Sequence, residues 1–194
     1  MQNQLSTINL LSIRGKLVDL STPKIMGILN LTPDSFSDGG KFNDEKEALK
    51  QVEKMLTEGA TFIDIGAQST RPNAEFLSAQ EEILRIGNMI SKIKKEFPES
   101  LVSLDTFYSE VVKFGFEEGI DVINDISGGN FDEKMFETVA ETGLPYVLMH
   151  INPTYESMHE KQIEGDIILT LNQYFSEKIQ KLRTLGIKDI LVDP

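Results

Sequence analysis

The chain has 194 residues, of which 40% are hydrophobic and 26% charged, with no cysteine and a formal charge of −12. This composition fits one globular domain with a sizeable core, and it rules against disorder, a disulfide framework and thiolate metal ligation. No basic stretch offsets the negative charge, which argues against nucleic acid and anionic lipid as general partners, although helix N-termini, a metal ion or a few arginines can still hold phosphates.

The N-terminus, Met1-Gln2-Asn3-Gln4-Leu5, lacks the charged and apolar blocks of a signal peptide. Apolar runs such as Tyr146-Val147-Leu148-Met149 are far shorter than the ~20 residues of a membrane span. A cytoplasmic protein is expected. Ile8 to Leu20 carries strand-like runs around Arg14-Gly15, which predicts a small hairpin. Ile25 to Leu29 is the next strand. The loop after it, Asn30 to Gly40, packs turn formers around one aromatic; it suits either a lid over a ligand or an ordinary βα connection. Asp44 with Glu47 reads as a helix start, Ala48, Val52, Met55 and Leu56 continue the helical spacing, and Gly59 stops it.

Phe62 to Ile65 is the second strand of the alternating series, followed by Gly66-Ala67-Gln68-Ser69-Thr70-Arg71-Pro72. Arg71 there either holds an anion or is solvated like most surface arginines. Ser78 with Glu81 starts another helix, whose stripe of Ile83, Ile86, Ile90, Ile93 and Phe97 predicts one element ending before Pro98. Strands follow at Leu101 to Leu104, Asp121 to Ile123, Tyr146 to Met149 and Ile190 to Val192. Between them the spacing predicts helices near 107–118 and 132–142, closed by Gly119 and Gly143, and a longer one through Ile168, Leu171, Phe175, Ile179 and Leu182 to Gly186.

Short, continuously apolar strands alternating with helices indicate parallel strands covered on both faces, in either a doubly wound sheet or a (β/α)₈ barrel. Acid and amide side chains gather at the six strand ends, most visibly at Asn30 and in Ile123-Asn124-Asp125. In both folds those ends converge on one mouth, so an enzyme is expected. A complete barrel needs eight βα units and typically ~250 residues, whereas this chain offers six strands and ends at Asp193-Pro194. The expectation is a single domain over residues 1–194 that is an incomplete barrel, lacking two βα units and exposing two parallel edges.

Six motifs together resemble dihydropteroate synthase: Met26 to Gly40 (MGILNLTPDSFSDGG), Asp64 to Pro72 (DIGAQSTRP), Ser103 to Thr106 (SLDT), Ile123 to Gly129 (INDISGG), Met149-His150 and Asp193-Pro194. They fall in the family's order across nearly the whole chain. The resemblance implies a (β/α)₈ barrel that joins 4-aminobenzoate to 6-hydroxymethyl-7,8-dihydropterin diphosphate and releases pyrophosphate. It places Asp64, Asp105, Asn124, Met149 and Asp193 against the pterin, whose edge of amino group and ring nitrogens suits carboxylate and amide partners. It assigns Asn30 to a magnesium ion on the diphosphate. Thr70, Arg71 and Pro72, with Pro33 and Phe36, are expected around the aminobenzoate, where sulfonamides would compete. Asp105 and Asp34 are the catalytic candidates, as carboxylates that stabilise cationic charge on the pterin methylene. His150 follows the fifth strand and is expected to line the pocket, while His159 reads as solvent-facing.

Two positions depart from the family pattern. Gln68 stands where many relatives carry Glu, and Asn73 where glycine is usual. The family's glycine-rich stretch and lysine beyond Asp-Pro, and its C-terminal serine, arginine and histidine group, do not occur in these 194 residues, so low activity is expected of the chain alone. A homodimer is expected of the family, through helices later than this chain. The alternatives are a pterin-binding methyltransferase barrel, against which the long first motif speaks, and an inactive pterin-binding fragment.

Overall fold

Arg14 and Gly15 adopt positive φ of 46° and 81°, the paired left-handed conformation of a type I′ turn, and join β1 (Leu10–Ile13) to β2 (Lys16–Asp19) as an antiparallel hairpin. The structure, a computed structural model, describes residues 9–31, 41–68, 76–151 and 165–194. After the hairpin come six parallel strands: β3 (Ile25–Asn30), β4 (Ala60–Gly66), β5 (Leu101–Asp105), β6 (Val122–Asp125), β7 (Tyr146–Met149) and β8 (Ile190–Asp193). They pair strictly in chain order, β3-β4-β5-β6-β7-β8. A doubly wound sheet reverses direction at a switch point and a barrel does not. The sheet is therefore six strands of an incomplete barrel. Its edges are β3 and β8, where Ile25 (58%), Ile28 (61%) and Val192 (47%) stay exposed.

One face of each strand packs on the helices. Leu29, Ile63, Ile65, Val102, Leu104, Ile123 and Leu148 form the main core with Ala48 and Val52, Val111 and Val112, Met135 and Val139, and Phe175 and Leu182. Each fully buried Val, Leu, Ile or Met side chain among them contributes about 1.5–3 kcal/mol. The other face holds a second cluster, in which Leu11 and Ile13 of the hairpin meet Phe62 and Val122, with Leu101, Val147 and Leu191 around them. The hairpin thus plugs the N-terminal end of the sheet. Arg14 fastens it by donating to the carbonyls of Ile120 (2.9 Å) and Phe116 (3.1 Å). Beneath it the buried Asp121 accepts from Lys94 Nζ and the Val102 N–H, both at 2.8 Å.

The helices are α1 (Lys41–Thr57), α2 (Ala79–Ile86), α3 (Met89–Glu96), α4 (Ser109–Glu118), α5 (Met135–Thr142) and α6 (Ile167–Thr184). Two expectations need correction. α1 begins at Lys41 rather than after Asp44, because a carboxylate is favourable anywhere in a first turn and marks a helix start only to within a few residues. The Ser78–Glu81 capping box is present, but the isoleucine stripe spans two helices broken at Gly87 (φ 53°, ψ −127°). Periodicity reports which face is buried, and it survives a break that keeps the face in phase. Gly119 and Gly143 close α4 and α5 in the left-handed region, as expected of C′ glycines.

Inside α4, Gly115 lets the helix approach β5: a Cβ there would collide with Leu104 Cδ2 and lie 3.3 Å from the Ile120 side chain. Gly115→Ala is expected to lower stability by about 1–2 kcal/mol in urea unfolding, with overpacking outweighing the gain in helix propensity. An unchanged or higher midpoint would show that the helix shifts freely.

Candidate active site

The strand register decides which polar groups share the mouth. Asn30 lies beside Gly66, Gly66 beside Asp105, Asp105 beside Asn124, and Met149 beside Asp193. All sit on the face opposite the main core, at the C-terminal rim of the sheet, where ligands bind in parallel α/β folds. Asp64 is two residues below the end of β4, level with Ser103 rather than with Asp105; the expectation that it ends its strand is corrected to a deeper layer of the same face. Asn124 joins the layers by donating from Nδ2 to Asp64 Oδ2 at 3.1 Å.

Asn30 and Asp105 crowd over Gly66: a Cβ at that position would lie 3.1 Å from Asp105 Oδ2 and 3.7 Å from Asn30 Oδ1. The missing side chain gives these two oxygens their room. Asp105 keeps partial exposure as a residue, yet its carboxyl is enclosed by protein; burial, then the charges of Asp64, Glu82 and Asp125, push its pKa to about 8. Burial also raises Asp64, against the pull of Ser103 and Asn124. At neutral pH Asp105 therefore keeps its proton.

Asp125 does not belong to the mouth. It faces the helix layer, fully buried, and accepts from Tyr146 Oη (2.7 Å) and from the N–H groups of Ser127 and Gly129 (2.8 Å each). It anchors the turn after β6. The fifth strand end of the barrel series brings Met149, without an acid or amide. His150 packs edge-on to Tyr174 (centroids 4.8 Å apart), and burial lowers its pKa, keeping it largely neutral at pH 7. Tyr174 Oη donates to the Met149 carbonyl at 3.1 Å and so fixes that strand end. Pro33, Asp34, Phe36, Thr70, Arg71, Pro72, Asn73 and His159 lie outside the described residues.

Sequence reasoning missed a buried bracket built on Gln68. Its amide donates to the Leu77 carbonyl (3.1 Å) and to Glu82 Oε2 (2.8 Å), and accepts from the Leu77 N–H (3.1 Å). Tyr108 Oη donates to the same Leu77 carbonyl at 2.9 Å. Burial raises the fully buried Glu82, with Thr106 and Gln68 opposing. Only an amide can serve a carboxylate, a carbonyl and an N–H together. Gln68→Glu is expected to cost about 2–3 kcal/mol near pH 8, through two facing buried carboxyls and an abandoned carbonyl, and less near pH 5, where one is protonated. Chemical denaturation at the two pH values checks this; an equal cost at both would remove the carboxylate conflict as its cause.

Among the described residues no group of three or more His, Cys, Asp or Glu side chains is placed to hold a metal ion. None of the described helices is long and apolar enough to cross a membrane.

Residues 26–194 match the family described as pterin binding enzyme. Over 183 residues, 93% of this chain, the sequence is 40% identical to dihydropteroate synthase of Escherichia coli K12, of which that segment covers 64%. It is 47% identical over 155 residues to the mitochondrial folate synthesis bifunctional protein of Arabidopsis thaliana, covering 78% of this chain and 28% of that protein. The chain thus spans less than two thirds of these relatives. Among solved structures it resembles Yersinia pestis dihydropteroate synthase in complex with a sulfonamide drug, with a TM-score of 0.85 and 38% identity over 95% of this chain and 67% of the other. It equally resembles the Xanthomonas albilineans dihydropteroate synthase with 4-aminobenzoic acid, with a TM-score of 0.85 and 31% identity over 97% of this chain and 67% of the other. The register that gathers Asn30, Asp64, Asp105, Asn124, Met149 and Asp193 on one face of the sheet and the family match over Met26 to Pro194 agree: the chain belongs to the pterin-binding enzymes.

Proposed function

We propose that this chain carries the pterin site of a dihydropteroate synthase. The amine nitrogen of 4-aminobenzoate attacks the methylene of 6-hydroxymethyl-7,8-dihydropterin diphosphate, the carbon–oxygen bond breaks, pyrophosphate leaves and the amine loses a proton. The observation that carries the reading is the set of Asp64, Asp105, Asn124 and Asp193 on one face of four strands, with Asp105, Asn124 and Asp193 at the rim and Asp64 one layer below. A flat heterocycle presenting amino and N–H donors is the ligand such a set of acceptors suits. Relatives solved with a sulfonamide and with 4-aminobenzoic acid support the second substrate.

In this reading Asp64 and Asn124 hold the pterin edge from below, Met149 covers the ring, and Asp193 meets it from β8. Asp105 faces the methylene, where its anion stabilises the positive charge that builds as pyrophosphate departs. Asp34 supports that charge, and Pro33, Phe36, Thr70, Arg71 and Pro72 surround the aminobenzoate. Asn30 would hold a magnesium ion: it offers one hard oxygen at an exposed strand end, with Asp105 Oδ2 beside it over Gly66. So few protein ligands fit a magnesium ion that keeps waters and takes substrate phosphates. That ion would neutralise the diphosphate. Cytoplasmic location and a homodimer are parts of the same proposal.

The test is calorimetric titration of the chain with the dihydropterin diphosphate and magnesium, followed by aminobenzoate with pyrophosphate detection. Pterin binding followed by slow pyrophosphate release is expected, since the family's later lysine and basic group do not occur in these 194 residues. Binding without release would favour the reading as a pterin-binding fragment, and absence of binding would overturn the pterin site altogether.

A further inference from the structure

Ser103 lies directly across from Asp64 in the β4/β5 register, two residues below Asp105 on the same strand face. It is fully buried, and among the described residues neither Ser103 Oγ nor Asp64 Oδ1 has a hydrogen-bond partner. The other carboxylate oxygen, Asp64 Oδ2, is held by Asn124. A buried hydroxyl left unpaired costs about 1–3 kcal/mol, and alanine at this position would avoid that cost. Stability therefore gives no reason for a hydroxyl here.

The neighbouring carboxylate gives one. Ser103 lies near enough to pull the Asp64 proton affinity down against burial, without a formed hydrogen bond. A serine hydroxyl rotates freely about its Cβ–Oγ bond and needs only a small adjustment of its acceptor to donate. We propose that Ser103 is a positioning residue: when a pterin edge engages Asp64, the Ser103 hydroxyl donates to Asp64 Oδ1 and, with the Asn124 amide on Oδ2, fixes the plane of that carboxylate. The ligand then meets a carboxylate clamped at both oxygens, and an otherwise orphaned pair of buried polar atoms is satisfied only in the bound state. The binding energy of the pterin is thereby coupled to a residue it does not touch. This inference rests on the proposed pterin site.

The experiment compares the wild-type chain with Ser103→Ala, Asp64→Asn and the double variant, measuring the dissociation constant of 6-hydroxymethyl-7,8-dihydropterin diphosphate and the melting temperature. Ser103→Ala is expected to weaken pterin binding about 5- to 15-fold with an unchanged or raised melting temperature, and to change binding less than about two-fold when Asp64 is already Asn. Three results would overturn the proposal: unchanged affinity in Ser103→Ala, the same loss with Asp64 and with Asn at that position, or a loss that tracks a falling melting temperature. If the wild type binds no pterin, the functional reading falls first and takes this inference with it; wild-type binding with an indifferent Ser103→Ala removes the inference alone.

Discussion

Replacing Asp105 with Asn is expected to cut turnover about 10²- to 10³-fold, the cost of removing one preorganised group aimed at developing charge, while aminobenzoate binding changes little. The substitution is nearly isosteric. At neutral pH the unliganded Asp105 holds its proton, because burial and three neighbouring acids lift its pKa to about 8, so an amide also matches its resting charge. Folding should therefore tolerate the change, and what remains is its effect on the reacting state. In the proposed reaction, stabilising a cationic methylene would require the anion, so the Asp105 proton would have to leave as the pterin docks and presents its donors. Pterin binding near pH 7 is accordingly expected to release a proton, read as a dependence of the calorimetric heat on buffer ionisation enthalpy, and Asp105→Asn should abolish that dependence. Pyrophosphate release gives the turnover. Equal losses of turnover and of aminobenzoate affinity would argue against charge stabilisation by Asp105.

The barrel series was legible because its signals are local. Apolar runs of strand length, the Ser78–Glu81 capping box and the glycines at 59, 119 and 143 are set by neighbours a few residues away, and the monotonic strand order then settled what composition left open. Two errors came from signals that hold only to within a turn, at Lys41 and at the Gly87 break. The candidate site could be proposed from its residue types, but not its depth and direction. Neighbouring residues in a strand face opposite ways, and that separates Asn124, at the mouth, from Asp125, buried under the helices. Which of two adjacent polar residues faces a ligand depends on register, which emerges only from pairing. Gln68 and Ser103 lay further out of reach. One finds Leu77 and Glu82 across a loop and a helix, the other faces Asp64 from the next strand, and such partners are invisible to spacing along the chain.

The unliganded protein is expected to become less stable as pH rises from about 5.5 to about 8, by about 3 kcal/mol from Asp105 alone. The sign follows from the direction of the shift. In the unfolded chain an Asp carboxyl loses its proton near the ordinary value of 3.8, whereas the folded Asp105 keeps it to about 8. Between those values the native state binds the extra proton, so the contribution is complete below the unfolded pKa and is lost as pH climbs through the folded one. Each retained proton is worth about 1.4 kcal/mol per pH unit. Asp64 and Glu82, both raised by burial, act in the same direction, and a formal charge of −12 adds self-repulsion as the last acids ionise. Urea denaturation at several pH values, for the wild type and Asp105→Asn, separates these contributions. The amide variant cannot titrate, so its slope should be shallower by the share Asp105 supplies, and its stability near pH 8 should exceed that of the wild type. A wild-type curve that is flat or rising over this range, or parallel curves for the two proteins, would mean that Asp105 is already ionised in the empty mouth, and the proton released on pterin docking would have to come from elsewhere.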